Sequence, residues 1–137
     1  PILKFLPDEA VAGIMARWSV RPARVLGHSD TAPGRKIDPG ARFDWRRLAL
    51  QGLAIWPDRR APGDFWADAR RFGYRWDSGQ EDAVLHAFRL RFRPGATGPL
   101  NEADAALIAD LSHRWGKTER PSHGAARASA ANPYSSR

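Results

Sequence analysis

One short segment of the chain, residues 27–40, brings together side chains that could hold a metal ion and polarise a substrate. It reads Gly-His-Ser-Asp-Thr-Ala-Pro-Gly-Arg-Lys-Ile-Asp-Pro-Gly. His28 and Asp38 offer an imidazole nitrogen and a carboxylate oxygen, both of which are zinc ligands, and Lys36 offers an ammonium group for a substrate oxygen. A turn at Pro33-Gly34 would fold the segment back, so that its later residues face His28.

The same residues also fit an ordinary structural interpretation. His28 can be a histidine at the end of a strand that hydrogen-bonds Asp30, and Asp38 can be an ordinary turn aspartate that precedes Pro39. The spacing alone leaves the metal site and the structural interpretation open.

Periodicity and turn signals predict the elements that must position this segment. Apolar residues spaced i, i+3, i+4 and i+7 predict an amphipathic helix from Asp8 to Trp18. Residues 24–27 predict a short buried strand, which would hold His28 at its end. A further helix is predicted from its N-cap Asp44 towards Trp56.

The second half of the chain is predicted to be helical. Residues 58–63 are rich in proline, glycine and charge, which is typical of an interdomain linker. Three helices are then predicted: from Asp64 to near Gly73, from Ser78 with a capping box to Glu81, and from Asn101 to Trp115. Residues 117–137 show no periodicity, and we expect a disordered tail.

Composition restricts the class of protein. The 137 residues allow one ordinary domain or two small ones, and no apolar run is long enough to span a bilayer. The absence of cysteine excludes disulfides and thiolate zinc ligands. The net charge of +7 favours an anionic partner, which could be nucleic acid or a cell-wall polymer. No targeting signal is visible at Pro1, and we expect the chain to be the tail of a longer protein.

The segment from Gly27 to Gly40, continued by Phe43-Asp44-Trp45, resembles the zinc-dependent N-acetylmuramoyl-L-alanine amidases of the type-2 amidase family, which includes the peptidoglycan recognition proteins. The resemblance implies that His28 and Asp38 bind Zn²⁺ and that Lys36 helps to stabilise the transition state. Zinc on such ligands activates water for amide hydrolysis.

The resemblance further implies residues that would precede this chain. The family has a first zinc histidine on an early strand and a catalytic glutamate between the two histidines, and both would lie before Pro1. His86, His113 and His123 match no position of the family. The chain alone is therefore expected to hold two of three zinc ligands and to be inactive.

The later helices resemble the small three-helix peptidoglycan-binding domain that follows some periplasmic amidases. The resemblance rests on Phe72-Gly73-Tyr74 and on residues 87–94. Within it, Arg89, Arg91 and Arg93 could form a solvated basic face or a glycan-binding stripe.

Together these inferences predict an α/β fold: the C-terminal part of a mixed-sheet amidase domain flanked by helices, followed by a small all-α three-helix domain. The predicted organisation is an amidase part at residues 1–57, a linker at 58–63, a peptidoglycan-binding-like helical domain at 64–116 and a disordered tail at 117–137.

The predicted function is zinc-dependent hydrolysis of the bond between N-acetylmuramic acid and L-alanine in peptidoglycan or muropeptides, by a monomer in the periplasm or cell envelope, with the cytoplasm as the alternative. A second hypothesis is a non-catalytic peptidoglycan-binding protein. Nucleic-acid binding is supported by charge alone, because no recognition motif accompanies it, and we do not expect a nucleic-acid partner.

Overall fold

The computed structural model describes residues 8–117, and the regular elements in this range are all helical. No helix within it is long and apolar enough to cross a membrane. Residues 118–137, most of the predicted tail, lie outside the described range. The helices are α1 (Asp8–Trp18), α2 (His28–Thr31), α3 (Trp45–Leu50), α4 (Phe65–Phe72), α5 (Glu81–Phe92) and α6 (Glu102–Trp115), with a 3-10 turn at Pro22–Arg24.

The predicted α/β fold with a mixed sheet is wrong, because residues 8–117 contain no strand. The backbone is indeed extended at Val25 and Gly27, as the pattern predicted. An extended segment becomes a strand only when a neighbour completes its hydrogen-bond ladder. Here the Val25 carbonyl instead accepts a hydrogen bond of 3.1 Å from the Arg91 side chain.

Two predicted helix boundaries also differ from the structure, and a glycine explains each. The helix after Asp44 ends at Leu50 instead of running towards Trp56, because the chain turns at Gly52 with a φ of +74°. The predicted cap at Ser78 is wrong, since Gly79 has a φ of +89° and α5 begins at Glu81.

Helices α4 and α6 confirm the predicted capping signals. The Asp64 carboxylate accepts hydrogen bonds from the backbone N–H groups of Trp66 and Ala67, which starts α4. Asn101 and Asp104 bond each other's backbone N–H groups in a capping box, which starts α6.

The main hydrophobic core lies among α4, α5 and α6, where α4 packs against α6. The Phe65 and Phe88 rings meet edge to face at 5.2 Å, an arrangement that aromatic quadrupoles favour. The side chains in this core that are shielded completely from solvent are Ala69, Val84, Phe88, Ile108 and Leu111.

A second, smaller cluster lies beside α3 and contains Trp45, Leu48 and Ala54. Trp56 packs against both clusters and so joins the two parts of the molecule. The predicted linker at residues 58–63 contains no helix, but its backbone is held by α6. The N–H of Asp58 donates to the Asp110 carboxylate at 2.8 Å.

The alternating arginines at the end of α5 are not a solvated face: Arg89 and Arg91 lie on the helix, and Arg93 directly follows it. Arg89 and Arg91 are buried, and each forms an ion pair with a buried carboxylate: Arg89 with Asp104 at 2.6 Å, and Arg91 with Asp30 at 2.7 Å. Arg93, which is half-buried, also pairs with Asp104. Buried cations need such partners because desolvation is costly, so a glycan-binding stripe of these residues is wrong as well.

Candidate metal centre

The predicted site begins at α2, a single helical turn whose first residue is His28. Gly27 is its N-cap residue, and the Gly27 N–H donates to the Asp30 carboxylate at 2.9 Å. A Cβ on Gly27 would lie 2.8 Å from Cδ of Pro39, so only glycine fits this close approach. The sequence pattern predicts His28 at the end of a strand, whereas the structure places it at the start of a helix.

The rest of the segment folds back onto α2, as the Pro33-Gly34 turn predicted. The N–H groups of Arg35 and Lys36 both donate to the Ala32 carbonyl at 3.1 Å, which makes a compact turn. The Ser29 N–H then donates to the Asp38 carbonyl, also at 3.1 Å, which fixes the returning backbone beside the helical turn.

This backbone path brings His28 and Asp38 together across ten residues of chain. Nδ1 of His28 lies 2.5 Å from Oδ2 of Asp38. The hydrogen bond to His28 is the main cause that lowers the pKa of the Asp38 carboxyl below its ordinary value. The side chains stay accessible to solvent, with exposed fractions of 62% for His28 and 37% for Asp38.

The third predicted residue, Lys36, is not brought into contact with this pair. It lies on the same turn and is exposed, and within residues 8–117 its ammonium group makes no hydrogen bond or ion pair. A solvated ammonium on a flexible stem is free to reach a ligand bound nearby.

The pair offers two donors that suit zinc, an imidazole nitrogen and a carboxylate oxygen. Their exposure and their close approach fit two neighbouring ligands of one ion. Residues 8–117 hold no cluster of three or more His, Cys, Asp or Glu side chains that could bind a metal by themselves. His86 and His113 are exposed on α5 and α6, and they take no part in the pair.

Asp30 does not bond His28, contrary to the structural interpretation considered from the sequence. Its side chain turns inward, where it accepts hydrogen bonds from the Tyr74 hydroxyl at 3.1 Å and from Arg91 at 2.7 Å. Burial, and after it the Asp30 carboxylate, raise the pKa of Tyr74 well above its ordinary value, so the phenol keeps the proton that it donates.

This inward network was not predicted from the sequence, although the sequence contains one signal of it. Val84, Phe88 and Arg91 are spaced i, i+4 and i+7 on α5, so Arg91 falls on the stripe of the helix that faces the core. An arginine at such a position indicates a buried cation that needs a carboxylate partner.

An open groove of about 1240 Å³ lies against α2. Its walls include Asp30 and Thr31 of α2, Trp56, and Trp115 of α6. None of the predicted site residues lines it, so its size gives no information about the chemistry at His28 and Asp38.

Comparisons with known proteins identify similar sequences. The chain is 31% identical to the N-acetylmuramoyl-L-alanine amidase AmiD of Escherichia coli K12 over 124 residues, which cover 76% of this chain and 45% of AmiD. A shorter match of 35 residues is 46% identical to the 1,6-anhydro-N-acetylmuramyl-L-alanine amidase AmpD of Enterobacter cloacae, covering 26% of this chain and 19% of AmpD. No protein-family model matches.

Solved structures agree with the sequence matches. The structure of Escherichia coli AmiD with anhydro-N-acetylmuramic acid-L-Ala-D-gamma-Glu-L-Lys superposes with a TM-score of 0.72 and 29% identity, over 81% of this chain and 51% of that one. The structure of AmpDh3 of Pseudomonas aeruginosa in complex with anhydromuramic pentapeptide superposes with a TM-score of 0.70 and 28% identity, over 80% of this chain and 51% of that one. The chain spans about half the length of these relatives. It is a homologue of the N-acetylmuramoyl-L-alanine amidases over that half.

Proposed function

We propose that the chain is part of a zinc-dependent N-acetylmuramoyl-L-alanine amidase and that it supplies two of the zinc ligands, His28 and Asp38. The observation that carries the proposal is the 2.5 Å approach of His28 Nδ1 to Asp38 Oδ2 at the surface of a homologue of these amidases. The third ligand and the glutamate that assists proton transfer would come from the part of the relatives that this chain does not span.

The chemistry follows from the side chains. Neutral His28 and ionised Asp38 are the forms that bind a metal, and the lowered pKa of Asp38 keeps its carboxylate ionised at neutral pH. Zinc, when bound, would act as a Lewis acid towards water and the scissile carbonyl. Lys36 would bind the carbonyl oxygen as it gains negative charge, which stabilises the transition state more than the substrate.

The proposed substrate is a muramyl peptide, from intact peptidoglycan or from soluble muropeptides. Support comes from the two related structures that contain anhydromuramyl peptides. We also propose that α4, α5 and α6 form a wall-binding module and that the protein acts in the periplasm or cell envelope, where intact wall is found.

The test uses the full-length protein and an N-acetylmuramoyl-L-alanyl peptide, with products identified by mass spectrometry and zinc measured by atomic emission. We expect cleavage between the lactyl group and L-alanine that stops on chelation and returns with zinc. His28→Ala and Asp38→Ala should lose zinc and activity together. Lys36→Ala should keep its zinc and turn over about 100-fold more slowly.

Matched controls come from exposed residues of the same types on α5. His86→Ala and Asp82→Ala should keep zinc and full activity, because both side chains are exposed on another element. Full zinc content and amidase activity in His28→Ala would contradict the proposal. Binding to insoluble peptidoglycan without cleavage, unchanged in His28→Ala, would favour the non-catalytic binding protein instead.

A further inference from the structure

We propose that Arg91 is a positioning residue for His28: from α5 it holds the Asp30 carboxylate and thereby orients α2, the helical turn that carries the imidazole. The inference rests on the proposed function in taking His28 as a metal ligand. It assigns to a helix of the predicted wall-binding part a role in the geometry of the metal centre.

Arg91 contacts both α2 and the backbone that leads into it. Nη1 of Arg91 donates to Oδ2 of Asp30 at 2.7 Å, and Nη2 donates to the Val25 carbonyl at 3.1 Å. The exposed fractions of the two charged side chains are 1% for Arg91 and 7% for Asp30. Water therefore has little access to compete for either group, and the geometry is held strongly.

Asp30 transmits this constraint to His28. The same Oδ2 atom that binds Arg91 accepts the Gly27 N–H at 2.9 Å, which is the capping bond immediately before His28. The other oxygen, Oδ1, accepts the Tyr74 hydroxyl at 3.1 Å. With both oxygens engaged, the Asp30 side chain cannot rotate without breaking the start of α2.

Arg91 is also held from its far side. Its guanidinium lies 4.1 Å from the centre of the Trp45 ring, a cation–π contact, and Trp45 belongs to the small cluster beside α3. Its Nε is buried and has no hydrogen-bond partner within residues 8–117. Because one N–H donor of this cation has no acceptor, the cation stays buried only through its other contacts, which must be strong. Removing Asp30 or Arg91 should therefore disturb this region.

The same helix carries a matched control. Arg89 also forms a buried ion pair, with Asp104 at 2.6 Å, and it also donates to backbone carbonyls, those of Gly98 and Pro99. These partners lie at the start of α6 and in the loop before it, and none belongs to the His28 segment. Arg89→Met and Arg91→Met therefore remove equivalent interactions from one helix, but only Arg91→Met should affect His28.

The experiment compares Arg89→Met and Arg91→Met in the full-length protein. The measurements are Tm, the ring NMR resonances of His28 in the metal-free protein, and zinc affinity by competition with a chromophoric chelator. We expect both variants to lower Tm. Only Arg91→Met should shift the His28 resonances and weaken zinc binding, by about tenfold. Arg91→Lys, which keeps the charge, should recover part of the affinity.

Equal effects of the two substitutions on His28 and zinc, or no effect of either, would overturn the inference. If Arg91→Met does not fold, Tyr74→Phe removes one hydrogen bond to Asp30 without leaving a buried charge, and it should still shift the His28 resonances. If the wild-type protein binds no zinc while Arg91→Met still shifts the His28 resonances, the proposed function fails and the positioning role stands.

Discussion

Helices α4 to α6 and the segment before them are stabilised in different ways. The helices enclose a continuous core of aromatic and aliphatic side chains. The earlier segment has a cluster of three buried residues and leaves large apolar side chains in solvent, with Trp18 71% and Leu50 82% exposed. Its conformation around His28 depends instead on backbone hydrogen bonds and on polar contacts with α5.

The two parts of the molecule are therefore sensitive to different kinds of substitution. In the helical part, a substitution lowers stability through the cavity or the unpaired charge that it leaves in the core. In the His28 segment, it acts through close backbone contacts, so small changes of shape matter more than lost apolar area.

The largest expected effect is in the helical core. Phe88→Ala removes a ring that is shielded from solvent and packs against Phe65 and Phe92, and it should lower the free energy of unfolding by about 3 to 5 kcal/mol. Urea denaturation followed by circular dichroism measures the change. Leu50→Ala, in the earlier segment, should change it by less than about 0.5 kcal/mol, since Leu50 is already exposed. Similar losses in the two variants would contradict the comparison.

A second prediction concerns charge in the helical core. Burial raises the pKa of Asp104, but the hydrogen bonds from Arg89 and Arg93 outweigh burial and hold that pKa below its ordinary value of 3.8. The ionised carboxylate therefore contributes stability above this pH, and the contribution is lost as the pH falls through the lower, folded-state pKa. Asp104→Asn should cost about 3 kcal/mol at neutral pH, because it leaves buried Arg89 without its anion.

The pH dependence of this difference is the measurement that checks it. Thermal unfolding of wild type and Asp104→Asn should begin to converge as the pH falls below about 4, where the unfolded-state carboxyl takes up a proton, and should meet below the lower pKa of the folded state, where the native carboxyl is also neutral. A gap in Tm that stays constant from neutral to acid pH would show that the charge of Asp104 is not the cause.

A smaller loss of stability than in the helical core is expected at the His28 segment, where a substitution should also change the site. Gly27→Ala places a Cβ 2.8 Å from Pro39 Cδ and 3.3 Å from the Asp38 carbonyl oxygen, so the returning backbone must move. We expect a loss of about 1 to 3 kcal/mol and a shift of the His28 ring resonances.

Gly13→Ala is the matched control for Gly27→Ala. Gly13 lies within α1, and a Cβ there would meet nothing within 4 Å. Alanine should therefore stabilise the helix by about 0.5 to 1 kcal/mol and leave the His28 resonances unchanged. If both alanine variants behaved alike, close packing at Gly27 would not be what holds the segment.

Many of the helices could be predicted from the sequence because their signals are local. The stripe of apolar residues from Asp8 to Trp18 and the caps at Asp64 and Asn101 each depend on residues a few positions apart. The fold-back at Pro33-Gly34 is also local, and the structure confirms it. Local signals could not show whether the mixed sheet forms, since a strand needs a partner strand that lies elsewhere in the chain.

The charged residues show the same division between local signals and contacts made by distant parts of the chain. By itself the sequence determined which groups are available: an imidazole, an ammonium and two carboxylates within one segment of a homologue of the amidases, and two arginines on α5. Only the tertiary structure decided that Asp38 and not Asp30 meets His28, and that Asp30 turns inward to Arg91, 61 residues later. The physical reason is that the partner of a charged group is chosen by distance and burial, which contacts between distant parts of the chain create.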